Sequence, residues 1–290
     1  MIRAAVALGL ITLLAAGAEA RPWYVPKAEI WPRWLEHDPR DVRRIDHGAW
    51  DSFLRVFVDT AHPSGIHRVR YGDVGAAGRQ ALAGYLRRLE AVPISGFNRA
   101  EQLAYWINVY NALTVKAILD HYPVRSILWI KLTPGWLSFG PWEAKLFRVE
   151  GEALSLRDIE HRILRPIWGD PRIHYALNCA SLGCPDLSPV AYTADEMPRQ
   201  LEAAAAAFVN HRRGVDFIYD KLQLSSIYRW YREDWGDSEG AVIEHLKRHG
   251  PSWLRASSPT RAPSSTTTTG ASTSPEGARW GAPPAILNPR

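Results

Sequence analysis

Between positions 47 and 255, apolar residues recur at helical spacing near 48–61, 78–91, 98–121, 155–166, 194–210, 226–233 and 238–249. The stretch 98–121 is the best defined. Leu103, Trp106, Ile107, Tyr110, Leu113, Ala117 and Ile118 share one broad face, and Ala104, Ala112 and Val115 fill much of the rest. A helix apolar on so many sides is central and enclosed. Helix starts are signalled by Asn98 with Glu101, Ser155 with Asp158, and Thr193 with Glu196, each a capping residue with an acid three positions on. Gly250-Pro251 is a stop. Strand-like runs fall at 126–132, 145–149 and 172–179, with a hairpin over 215–224 turning at Asp220-Lys221. Helices outnumber strands and do not alternate with them regularly. The pattern therefore predicts an α+β fold, a helix-rich single domain with a small antiparallel or mixed sheet, rather than a doubly wound one.

The flanks read differently. Met1-Ile-Arg3 is a short basic start, 4–17 is an apolar run, and Ala18-Glu-Ala20 is a small-x-small cleavage signal. This predicts a signal peptide over 1–20, and hence an exported, periplasmic or extracellular protein with no membrane span once the signal is removed. Residues 21–46 form an N-terminal extension and 47–255 the domain. From 256 to 290 the composition collapses into Ser, Thr, Pro and Gly, including Thr266-Thr-Thr-Thr269, which predicts a disordered tail. The formal charge of +5 is spread along the chain with no Lys/Arg-rich block, so no nucleic-acid partner is expected.

Both cysteines of the chain lie in Arg172-Ile-His-Tyr-Ala-Leu-Asn-Cys-Ala-Ser-Leu-Gly-Cys-Pro185. Export places them in an oxidising compartment, where Cys179 and Cys184 would tend to pair across the Gly183-Pro185 turn. As a free thiol, Cys179 would be a nucleophile, given a base and surroundings that lower its pKa. A zinc site is a weak reading of C-x4-C with one well-placed His, so no metal or other cofactor is expected. An inert buried thiol completes the alternatives. If 172–179 is a regular strand, His174 and Cys179 point to opposite faces, and they could be partners only across a bulge or past the strand end.

Other polar residues sit in apolar surroundings. Asn108 and Asn111, one turn apart on the central helix, must be hydrogen-bonded. They either tie down loop backbone or serve as an oxyanion donor or histidine orienter. Glu160-His161 lies on the 155–166 helix. Glu160 falls on much of the buried arc, which suggests an ion pair with an arginine such as Arg172, and His161 is a candidate base. Of thirteen tryptophans, Trp129, Trp136 and Trp142 cluster around Pro134-Gly135 and Gly140-Pro141. They are either core packing or the wall of a groove for an extended glycan or peptide.

Four blocks resemble one family in the expected order: Ala104-Tyr-Trp-Ile-Asn-Val-Tyr-Asn-Ala112, Leu154-Ser-Leu-Arg-Asp-Ile-Glu-His161, the 172–185 segment, and Leu224-Ser-Ser-Ile-Tyr-Arg-Trp-Tyr-Arg-Glu-Asp-Trp235. Over roughly residues 47 to 250 the chain resembles the domain of unknown function 547 family. The resemblance implies occurrence among bacterial envelope, plant and animal proteins, with Cys179 at the centre of the signature and Cys184 more variable. Trp235 stands where a Phe is common. It implies no particular reaction. A papain-like or transglutaminase-like arrangement is the leading expectation for the architecture. Two functions follow as expectations. One is a cysteine-dependent amide hydrolase or acyl-transferase, with Cys179 as nucleophile, His174 or His161 as base, and Asn108 or Asn111 as orienter or oxyanion donor. The other is a non-enzymatic envelope binding protein, stapled by a disulfide and contacting a peptide, glycopeptide or envelope protein through the Trp-rich loop.

Overall fold

The computed structural model of the chain describes residues 25–133, 140–218, 221–256 and 267–269. Helix α3 (Arg99–Asp120) is its axis, with 18 of 22 residues buried, polar ones included. Asn98 caps it by accepting from the amides of Ala100 and Glu101. Glu101 does not complete a capping box. Its carboxylate accepts from Arg44 at 2.7 Å and from the Ile45 amide at 3.2 Å, which ties the N-terminal extension to the first turn of α3. Helices α1 (Gly48–Phe57) and α2 (Ala76–Glu90) pack beside it, burying Trp50, Phe53, Tyr85 and Leu89. Each such side chain contributes about 1.5–3 kcal/mol of burial. Trp34 reaches in from the extension to meet Trp106 edge-on at 5.1 Å.

The strands are short and local, as an α+β domain allows. Strand β1 (Val58–Asp59) pairs antiparallel with β2 (Arg68–Val69), and β3 (Phe147–Val149) with β4 (Glu152–Leu154). The β3–β4 turn puts Glu150 at φ 48° and Gly151 at φ 85°. Two consecutive positive φ values match the twist of a tight hairpin and favour glycine at the second position. Strands β5 (Val215–Ile218) and β6 (Lys221–Ser225) form the expected hairpin, but Lys221 pairs with Ile218 as the first residue of β6 and is not part of the turn. Thr267–Thr269 form β7, which lies parallel to β6. The rest of the tail, the predicted signal peptide, Trp136 and Asp220 lie outside the described residues.

Beyond α3 the chain forms a second apolar cluster from Tyr175, Phe208, Tyr228, Trp235 and Leu246. It is supplied by the helices Met197–Val209, Ser226–Trp230 and Glu239–His249. The Met197–Val209 helix starts later than Thr193 suggests, and the Thr193 amide donates to the Gln200 side chain.

Two expected strands take other forms. Residues 126–132 contain a 3-10 turn, Ile127–Trp129, capped by the Ser126 hydroxyl. Residues 172–179 open with a short helix, Ile173–Ala176, followed by irregular chain. Positions 173 to 177 are all buried, so alternation there carries no inside–outside signal. Asp170 folds back onto the Arg172 amide and starts a turn instead. The opposite-face relation of His174 and Cys179 therefore does not arise.

Candidate functional site

The helix from Leu156 to Trp168 is irregular in its middle. The Ser155–Asp158 capping box starts it as α-helix, Ile159–Leu164 is π-helical, and Arg165–Trp168 resumes the α form. Pro166 has no amide hydrogen, so the helix lacks one donor for its carbonyls a turn earlier. π segments of this kind are frequent at functional sites. Here the segment brings Glu160, His161 and Arg165 into one buried group.

Arg165 is the hub. Its Nε and Nη2 donate to both oxygens of Asp234 at 2.6 and 3.1 Å, and Nη2 also donates to Glu233 at 2.8 Å. Its Nη1 lies 3.1 Å from His161 Nδ1 and donates to the Pro26 carbonyl at 3.1 Å. Its guanidinium sits over the Tyr231 ring at 4.7 Å. His174 contributes Nε2 to Asp234 at 2.6 Å, with its Nδ1 4.0 Å from Glu160. The His174 ring stacks on Tyr231 at 4.3 Å, with Trp235 at 5.0 Å. Glu160 accepts from the Tyr110 hydroxyl at 2.9 Å.

The electrostatics follow from burial and pairing. Burial works to raise the Asp234 carboxyl, but hydrogen bonds from His174 and Arg165 outweigh it and hold the group down at about 2. Burial pushes His161 down to about 4 against the opposing pull of Glu160, so His161 is neutral at pH 7 and its Nδ1 can accept from Arg165. Burial and the Glu160 charge push the Tyr110 phenol well up, so it stays a donor.

The predicted site residues divide into three groups. His174 and His161 both belong to this cluster. Asn108 and Asn111 act as clamps on the main chain. Asn108 donates to the Tyr192 carbonyl at 2.7 Å and accepts from its amide at 3.0 Å; Asn111 donates to the Ala176 carbonyl at 2.8 Å and accepts from the Asn178 amide at 2.9 Å. Asn111 thus fixes the segment that joins His174 to Cys179. Cys179 and Cys184 are bonded to each other with Cα atoms 6.1 Å apart. Asn178 also braces this loop, donating to the Pro185 carbonyl at 3.0 Å. The suggested Glu160–Arg172 pair does not form: Arg172 turns to Asp170 at 2.7 Å, the acid two residues before it.

Arg165, Asp234 and Tyr231 were not singled out for chemistry from the sequence. Arg165 follows His161 by one helical turn, a spacing that could have flagged it. Asp234 is joined to it only by the fold. Among the described residues, no three His, Cys, Asp or Glu side chains are grouped to hold a metal ion. No described helix is long and apolar enough to cross a membrane. In the other candidate region, Trp129 is 64 % exposed. Trp142 is half-buried against Gly140, where a Cβ would lie 1.8 Å from its ring at φ +72°, so glycine is needed there.

The cluster draws Tyr110, Glu160 and His161, His174, and Tyr231 and Asp234 from the four sequence blocks, so their common destination is one buried site. Residues 94–209 match the family model described as Protein of unknown function, DUF547. No curated protein and no solved structure matches the chain.

Proposed function

We propose that the chain is an exported envelope protein that binds a partner and performs no chemistry, with Cys179–Cys184 as its staple. The observation that carries this reading is the disulfide, which leaves neither sulfur as a thiolate. The apolar N-terminal run and its small-x-small end support export. Trp129, with Leu132 at 37 % exposure, offers an apolar contact surface for a peptide, glycopeptide or envelope protein. The test is intact-mass analysis of protein exported in its native host, alkylated without reduction. No alkylated thiol is expected. Two alkylated thiols would overturn the staple.

A second reading is favoured by the His174–Asp234 pair, since an imidazole oriented by a half-buried carboxylate is a general-base arrangement. In the reduced protein, Cys179 would attack an amide carbonyl, the base would take the thiol proton and return it to the leaving amine, and water would release the acyl group. His174 or His161 would be the base. Asn108 and Asn111 would act as positioning residues, Asn111 through the 176–178 segment. After mild reduction, Cys179 should then alkylate faster than Cys184, with a midpoint below about 8.5. Replacing the true base by alanine should raise that midpoint. Equal, slow alkylation of both thiols would end this reading.

A further inference from the structure

Residues 25–31 cross the cluster as an extended strap, packed at its two ends by the side chains of Val25 and Trp31 and held between them through its backbone. The amides of Glu29 and Trp31 donate to the carbonyls of His161 and Arg162 at 2.9 and 3.0 Å. These carbonyls lie a turn before Pro166, in the part of the helix where that residue leaves a donor missing. On its other edge, the Pro26 carbonyl accepts from Arg165 at 3.1 Å and the Ala28 amide donates to Glu233 at 3.3 Å. Odd positions bond to the helix and even positions to the charged side chains, the alternation of an extended chain lying between two walls. Lys27, Glu29 and Ile30 point to solvent, so these side chains contribute little to the fit. Trp31 lies half-buried under the Arg162 guanidinium at 4.3 Å, and Trp34 anchors the following turn in the core.

We propose that the cleft between the π-helical segment and Glu233–Asp234 is a binding site for extended polypeptide, and that residues 25–31 are its resident, displaceable occupant. Four hydrogen bonds to main-chain atoms over six residues recognise the backbone of a peptide rather than one particular sequence. Two of them come from Arg165 and Glu233, so an incoming strand would meet the same charged groups that orient His174 through Asp234. The strap contacts carry this inference whether or not the Trp129 surface binds a partner.

Hydrogen exchange in the intact full-length protein is the first test. The amides of Glu29 and Trp31 should exchange about 100-fold or more faster than those of Ile107 and Val109 in α3, because the strap lifts without global unfolding. Exchange of all four at one common rate would overturn the proposal. The second test places a protease site in 36–40 and adds a labelled synthetic peptide of residues 25–35 to the cleaved protein. The peptide should replace the resident strap. N-methylation at Glu29 and Trp31 should weaken its uptake about tenfold, whereas Lys27→Ala and Ile30→Ala should change it by less than about threefold. No uptake, or unfolding on cleavage, would show that the strap is structural and defeat the proposal.

Discussion

Asn108 and Asn111 each match one side-chain amide to two main-chain groups of a single crossing segment. Arg165 instead divides its guanidinium among Asp234, Glu233, His161 and the Pro26 carbonyl, four partners from three separate parts of the chain. Both regions bury polarity beside α3, but their costs differ. A buried amide with both ends bonded is close to neutral in energy and fixes where a loop runs. A buried group of charges costs several kcal/mol per ion in lost hydration and is rarely the cheapest way to hold a fold. The amide clamps therefore explain the fold, whereas the charged cluster calls for a function.

The comparison is tested most severely at Arg165. Arg165→Met removes the cation while Glu160 stays buried and Asp234 half-buried, and should destabilise the protein by about 3 kcal/mol in urea unfolding. Adding Asp234→Leu should recover a large part of that loss, because the stranded charge goes with it. If Arg165→Met alone costs less than about 1 kcal/mol, the ion pair does not hold the cluster together, and the contrast with the amides collapses.

Acid offers a second way to separate the regions, since the amides do not titrate. Burial lowers His47 and His161 to about 4 and His245 to about 3. Between the unfolded value of about 6.5 and those folded values, the unfolded chain holds more protons, so stability rises with pH. It is complete above about pH 6.5 and is lost as pH falls toward 4. For His161 alone the loss is about 3 kcal/mol. His161→Gln should lower the proton uptake on unfolding by about one in this window. An unchanged slope of urea midpoint against pH would mean that His161 is not held neutral. Asp234 contributes in the same direction at lower pH, from its unfolded value near 3.8 down to about 2.

Asn111→Ala orphans the Ala176 carbonyl and the Asn178 amide together and should cost about 3 kcal/mol. The same change at Asn108 should cost a similar amount through Tyr192. A useful sharpening is crystallographic: Asn111→Ala should shift the path of 176–178 while leaving the Arg165–Asp234 geometry intact. Coupled displacement of both would show that the two regions are one unit.

Much of this was readable before folding. The enclosure of α3 follows from apolar residues on nearly every side, and the buried asparagines had to be bonded for that reason. The Ser155–Asp158 capping box and the 215–224 hairpin were local signals, and local signals survive. The strand expected at 172–179 failed because a segment buried on all sides has no period to read. The charged cluster was only half visible. Glu160, His161 and His174 stood out as polar residues in apolar surroundings, but Asp234 lies 60 or more residues further along the chain and meets them only through tertiary packing. The strap had no sequence signature, because between Val25 and Trp31 it is held through its backbone.

The smallest expected effect belongs to the disulfide. Cys179 and Cys184 are five residues apart, so the bond closes a short loop. Constraining so short a loop in the unfolded chain contributes about 2 kcal/mol on the chain-entropy model. In the folded protein the loop does not rely on the bond alone: Asn178 holds Pro185, Asn111 holds Asn178, and Asp186 is held by the His67 amide at 2.9 Å and by Arg213 at 2.6 Å. The double variant Cys179→Ser with Cys184→Ser should therefore lose about 2 kcal/mol in urea unfolding yet keep the native loop path, read by unchanged amide chemical shifts at Asn178 and Asp186. His174 should also keep its bond to Asp234, because Asn111 stands between the loop and the cluster. A loss above about 5 kcal/mol, or displaced His174 resonances, would show that the staple organises the charged cluster, and the two regions would have to be treated as one site.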